Sequence, residues 1–321
     1  WYLKRHAGVC TGCATGCSIW IEENQDQVYR IKPRENPQVN QWWICNDGRY
    51  DYHHVHDERR LTGARRREGG TVVELDWSQV TGQLHQKLGE AGRLAAVLSP
   101  FLTVEEAYML AKLMRQLDPN AELVLGRVPV VGEDERFPNG FVVSAEKCPN
   151  RRGVERVLSH FTGRVTPLDE WLPELARGQI RGVWVSGGYK NDDWIDEATA
   201  AAFDRLSVLV VQDLLPTPLS RRATYELAGA AYPERDGSYV NRHDRLQSVR
   251  WAVRPPRDVR SEGSLLWELL GMSGLYDARK ILSDVAAEII YFNAASAPIP
   301  DVGIDLKLNL LAESPGEDSV V

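Results

Sequence analysis

At 321 residues the chain is long enough for one large domain or two modest ones, and 43% hydrophobic with 26% charged residues describes a folded protein rather than a disordered tail. A formal net charge of −7 excludes the basic footprint of a nucleic-acid binder. No apolar run approaches the roughly 18–20 residues that cross a bilayer, so no direct membrane span is expected. The first residue is Trp1 rather than Met, and no basic–apolar–small-residue pattern marks a signal peptide. A natural polypeptide that extends upstream is therefore expected.

The first 45 residues hold four of the five cysteines, Cys10, Cys13, Cys17 and Cys45, spaced C-x2-C-x3-C-x27-C. Three thiolates in one short loop and a fourth from a returning segment suit the corners of a [4Fe–4S] cubane. Small residues Gly12, Ala14 and Gly16 let backbone amides approach the sulfurs. A structural zinc site is the competing reading, but zinc ribbons pair two C-x2-C knuckles and Cys45 stands alone. Clustered reduced thiols point to a reducing, cytoplasmic compartment.

Residues 17–31 predict two short strands around a polar turn. Trp42 and Trp43 are expected to pack over the cysteines. His53, His54 and His56 look like a metal cluster, yet neighbours on most backbones point apart. Residues 57–70 carry Arg59, Arg60, Arg65, Arg66 and Arg67 and predict a solvated connector, where the domain boundary is placed.

Beyond Trp77 the texture changes. Trp77, Val80, Leu84 and Leu88 recur at helical spacing, residues 94–98 (LAAVL) form a buried-strand run, Thr103 with Glu106 makes a capping box for the next helix, and residues 123–125 a strand. A second such unit runs through a strand at 182–186, a helix at 193–206 and a strand at 208–212. Right-handed crossovers make such units parallel. Residues 126–149 are irregular, Gly187–Asn191 sits where open sheets bind ligands but lacks G-x-G-x-x-G, and 213–222 leaves the next strand. Cys148 reads as a small buried hydrophobe. One helix near 264–270 and a polar tail close the chain.

The stretch VCTGCATGCSIWIE…VYRIKPRENPQVNQWWICNDGRYDY resembles the cluster-bearing region of the large iron–sulfur subunit of NADH-quinone oxidoreductase, respiratory complex I, a module shared with molybdopterin oxidoreductases. Residues 146–157 and 223–241 are similar to later parts of the same family, the second to the segment after its last sheet strand. The resemblance implies Cys10, Cys13, Cys17 and Cys45 as ligands of a [4Fe–4S] cluster. It implies an α/β fold: a small β-rich cluster domain (1–62), a reduced molybdopterin-oxidoreductase-like domain with a largely parallel sheet (63–256), and a C-terminal helix and tail (257–321). It further implies an electron-transfer or structural subunit in the peripheral arm of a membrane-associated complex, partnered by an NADH-oxidising flavoprotein. Catalytic molybdenum members place a Lys two residues after the fourth cysteine, where this chain has Asp47. The alternative is the catalytic subunit of a molybdenum or tungsten formate dehydrogenase, in which Cys148 would lie near the metal-ligating position.

Overall fold

The computed structural model describes residues 2–307. It opens with an antiparallel meander of β1 (Lys4–Val9), β2 (Ser18–Asn24) and β3 (Gln27–Pro33). Gln25 and Asp26, at φ 55 and 64°, supply the left-handed pair that a two-residue hairpin needs. Ile19 and Ile21 on β2, with Val28 and Ile31 on β3, turn one face inward. A loop then leads to the short helix α1 (Asn46–Tyr50) and a 3-10 turn at His53–His56.

The remainder is an α/β body, running through β4 (Ala64–Glu68), β5 (Thr71–Leu75), α2 (Trp77–Ala91), β6 (Leu94–Leu98), α3 (Val104–Leu117) and β7 (Glu122–Leu125). A two-stranded ribbon of β8 (Glu135–Arg136) and β9 (Val142–Val143) precedes α4 (Arg151–Thr162), α5 (Leu168–Ala176), β10 (Gly182–Ser186), α6 (Glu197–Ala201) and β11 (Val208–Asp213). Then come β12 (Tyr225–Ala228), β13 (Gly237–Val240), β14 (Arg245–Val249), α7 (Glu262–Leu269), α8 (Ala278–Glu288) and β15 (Ile304–Asp305).

Seven strands build the main sheet in the order β5-β4-β12-β11-β10-β6-β7. The sheet is mixed: β12 through β7 run parallel, while β4 pairs antiparallel with both β12 and β5. β6, β10 and β11 are buried along their whole length, which is why they read as unbroken apolar runs. One face packs against α2, α3, α4, α7 and α8, the other against α5 and the α6 region. The chain steps outward from β6 to β7 and then in the opposite direction from β10 to β11, so the order reverses between β6 and β10. The carboxyl ends of those strands open toward the cysteine loop. Among open α/β sheets this reversal is where a crevice forms.

Four expectations need correction. The Arg-rich connector is largely structured: residues 64–68 are β4, and Arg60 is buried, with Nη1 2.5 Å and Nη2 2.8 Å from the Glu234 carboxylate. The helix expected over 193–206 is confined to α6, because Trp194 instead stacks on Tyr189 and Asp196 caps the helix behind it. Residues 223–241 do not follow the last strand of the sheet; they contain β12, which pairs with β11. Residues 257–307 contribute two helices rather than one, and β15 adds to β14. The polar tail at 308–321 lies outside the described residues.

Candidate metal centre

The elements explain the cysteine spacing. Cys10 directly follows β1 and Cys17 directly precedes β2, and the Cys10 N–H donates to the Cys17 carbonyl at 2.8 Å, closing the loop that carries Cys13. Cys45 caps α1, its Sγ accepting from the Gly48 N–H at 3.3 Å. The Gly12 N–H similarly approaches Cys10 Sγ at 3.4 Å. Sulfurs at a loop closure and at a helix N-terminus thus receive backbone N–H groups, the partners a thiolate needs.

Two buried asparagines, unmarked by any sequence pattern, fix the fourth cysteine relative to the other three. Asn40 accepts from the Ser18 N–H at 2.9 Å and donates to the Trp43 carbonyl at 2.9 Å, tying the residue after Cys17 to the loop before Cys45. Asn36 donates to Ser18 Oγ at 2.9 Å. Asparagine in a polar loop carries no signal that would single it out as a brace.

The body completes the seat. Ala14 donates its N–H to the Glu146 carbonyl, Thr15 Oγ1 donates to the Val142 carbonyl, and Asn241 Nδ2 donates to the Thr15 carbonyl. Gly16 has φ +66°, and an added Cβ would lie 2.9 Å from that of Asn241, so the loop tolerates only glycine there. Phe141, Val143, Leu214 and Tyr232 pack around Cys10, Cys13, Cys17 and Ile44. The downstream segments 146–157 and 223–241 therefore meet the cysteine loop or its supports in space.

Cys10, Cys13 and Cys17 are buried, Cys45 is half-buried, and none is in a disulfide. Burial is the main force that pushes the Cys10 and Cys17 thiols well above the ordinary range. The charges of Cys10, Cys13 and Cys45 push Cys17 further, and Cys10, Cys13 and Cys17 share one apolar cluster with Cys45 packed against it. Thiols gathered in an apolar pocket cannot all ionise without cations among them. Iron would supply those cations, and the all-thiolate donor set fits a cubane. Among the described residues no group of three or more His, Cys, Asp and Glu closes on a single metal ion.

The other candidates fall elsewhere. His53 packs between Tyr50 and Tyr52, and His54 packs on Tyr232, its pKa lowered by burial to about 4. His56 Nε2 accepts the Val28 N–H at 2.9 Å. Cys148 lies in the apolar core of the body, its thiol 3.6 Å from the Glu146 carboxylate. Trp42 and Trp43 do not cover the cysteines: they are 62% and 51% exposed, and Ile44 takes the inner position. The Gly187–Gly188 turn holds the Asp213 carboxylate, which accepts the Gly188 N–H at 2.8 Å; a Cβ at 187 would lie 2.1 Å from its carbon.

At the reversal point lies a cleft of about 940 Å³, bounded by Gly12, Asp47 and Asp51 on the cysteine side and by Arg127, Tyr189 and Lys190 on the body side. Three of its cations, Arg127, Arg151 and Lys190, are engaged, while Lys147 also lines the cleft. Arg127 pairs with Asp169 at 3.0 Å, Arg151 with Glu146 and Glu155, and Lys190 with Asp51.

Residues 3–57 match the molybdopterin oxidoreductase Fe4S4 domain, and all four cysteines fall inside the match. This segment is a molybdopterin oxidoreductase Fe4S4 domain. Such Fe4S4 domains bind a 4Fe–4S cluster. The chain is 31% identical over 119 residues to NADH-quinone oxidoreductase subunit 3 of Thermus thermophilus, covering 36% of this chain and 15% of the relative. It is 30% identical over 176 residues to an NADH-quinone oxidoreductase subunit of Rickettsia prowazekii, covering 51% and 26%. A putative formate dehydrogenase of Staphylococcus aureus is 26% identical over 122 residues, covering 36% and 12%. The matches thus span about a quarter or less of these relatives. In fold, the Fe4S4 domain and body resemble acetylene hydratase from Pelobacter acetylenicus, with a TM-score of 0.58 and 10% identity over 84% of this chain and 69% of that one. No helix among the described residues is long and apolar enough to cross a membrane.

Proposed function

We propose that this chain is an iron–sulfur subunit of an NADH dehydrogenase assembly of the complex I type, with Cys10, Cys13, Cys17 and Cys45 as ligands of its [4Fe–4S] cluster. The shared apolar seat, in which Cys10, Cys13 and Cys17 are buried with Cys45 packed against them and residues from both parts of the chain around them, is the observation that supports the reading. When bound, the cluster exchanges single electrons. The chain's own part is to hold four thiolates in place, offer N–H groups from Gly12 and Gly48 to sulfur, and exclude water with Ile44, Phe141 and Tyr232. Cys45 is the most exposed of the four, so electrons would enter or leave on its side. The proposed organisation is a cluster domain at 1–62, an α/β body at 63–256 and a C-terminal portion beyond, in the peripheral arm of the assembly beside an NADH-oxidising flavoprotein.

The similarity to a putative formate dehydrogenase favours a second reading, a catalytic molybdenum or tungsten subunit. Asp47 supports the first reading over the second, since a carboxylate between cluster and cleft provides no cationic bridge to a pterin. The paired state of Arg127, Arg151 and Lys190 also takes three of the cleft's cations from a pyrophosphate. Metal analysis of anaerobically purified protein separates the readings. About four irons and four sulfides per chain without molybdenum or tungsten is expected; near-stoichiometric molybdenum or tungsten would overturn it, and zinc without iron would overturn both.

A further inference from the structure

We propose that Lys190 and Asp51 form a charge-compensating pair at the Cys10 corner of the centre, through which the α/β body sets how readily the cluster takes up an electron. The inference rests on the ligand assignment proposed above. Both residues are positioning groups: neither reaches a sulfur as a ligand, and both act on the charge around it.

Lys190 Nζ lies 2.5 Å from each Asp51 carboxylate oxygen, across 139 residues of sequence. The two side chains are only 18% and 12% exposed, so solvent screens them weakly. Asp51 Oδ2 also accepts a hydrogen bond from Thr11 Oγ1 at 3.0 Å, and Thr11 is buried between Cys10 and Cys13. A continuous path therefore runs from the body to the cysteine loop. The body end is rigid. Gly188 is held by Asp213, the Tyr189 hydroxyl donates to the Arg127 carbonyl at 2.8 Å, and the Tyr189 ring stacks on Trp194 at 4.4 Å. Lys190 follows directly. Asp51 and Cys10 flank the same glycine: a Cβ added at Gly12 would lie 3.4 Å from Cys10 Sγ and 3.9 Å from Asp51 Oδ2.

Taking up an electron adds one negative charge to the centre. A nearby ammonium favours that step and a nearby carboxylate opposes it, and potential follows net charge and hydrogen bonding around the sulfurs. Charge tuning makes a prediction that a purely mechanical brace does not. Lys190→Gln leaves Asp51 uncompensated and must lower the midpoint potential. Asp51→Asn leaves Lys190 uncompensated while an amide oxygen still accepts from Thr11, and must raise it.

The test is a mediator titration with dithionite, followed by electron paramagnetic resonance, on the full chain and on Lys190→Gln, Lys190→Arg, Asp51→Asn and the Lys190→Gln/Asp51→Asn double variant. Iron is counted in each. The expected result is parental iron content throughout, opposite shifts in the two single variants, and near-parental potentials in Lys190→Arg and the double variant. Shifts of the same sign, or no shift with iron intact, overturn the proposal. Loss of iron from both Lys190→Gln and Lys190→Arg also overturns it, because the pair would then only hold the fold. Absence of iron from the parent would sink the ligand assignment instead.

Discussion

Single side chains decide whether the centre forms. Cys13→Ala or Cys45→Ala removes one corner thiolate, and iron content is expected to fall by more than half in each; full iron in both, measured by colorimetric assay, would end the assignment. The buried Arg60–Glu234 pair works at the same scale. Arg60 also donates to the carbonyls of Val55 and Gly229, joining the end of the Fe4S4 domain to the strand-exit loop after β12. Arg60→Met strands the Glu234 carboxylate in the interior and should cost about 3–5 kcal/mol in a denaturant titration. The cysteines were legible in the sequence because their chemistry depends on type and spacing. Arg60, Asn36 and Asn40 were not, since a buried arginine or asparagine looks like a surface one until its partner, 174 residues away in the case of Arg60, is placed beside it.

Whole elements respond to pH through the first turn of α3. Thr103 and Glu106 make the capping box expected from the sequence, and Arg235 binds Glu106 at 2.9 Å. Glu105 beside it is fully enclosed, accepting from Ser238 Oγ at 2.9 Å and from the Ser238 N–H. Burial raises its pKa from 4.5 to about 8, and burial likewise raises Glu262, packed near Arg235, to about 7. A raised folded-state value means that the folded protein holds these protons more tightly than the unfolded chain. The resulting stability is full below about pH 4.5 and is lost as pH rises toward 8. Thermal midpoints should therefore fall between pH 5 and 8 on account of these groups, and Glu105→Gln should flatten that slope; an unchanged slope would contradict the protonation argument. The strands β6, β10 and β11 were readable as apolar runs because both faces are covered. β4 was hidden because its arginines reach polar partners on neighbouring elements: Arg65 meets Glu226 of β12 at 3.0 Å and Arg66 meets Gln83 of α2 at 3.0 Å. The α4 and α5 helices went unrecognised amid charged sequence, although α4 buries Val154, Val157 and Leu158 on one stripe.

The molecule as a whole behaves as two parts with one shared floor. Leu214, Leu215, Tyr232, Ala252 and Val253 from the body pack under Ile19, Ile21, Val28 and Ile31 of the Fe4S4 domain. Removing the metal should therefore loosen the cysteine loop and leave the seven-stranded sheet intact. Limited proteolysis after anaerobic chelation is expected to cut within residues 10–57 first, with mass spectrometry recovering a protected fragment that begins near β4. Simultaneous loss of both parts would mean that the metal stabilises the entire fold. Asp47→Lys should leave iron content unchanged and create neither formate nor nitrate turnover; the appearance of pterin binding would reverse the functional reading.

The shared floor also has a consequence for how the protein is made. The four cysteines have left the ribosome once Cys45 emerges, whereas Val253, the last residue of their apolar seat, follows about 200 residues later, or roughly 10–40 s at common elongation rates. During that interval the thiols share a nascent chain without the walls that keep water and oxidants away. Iron delivery is thus expected to be post-translational: stalled chains ending before β11 should carry little iron, and chains released beyond Val253 should load it.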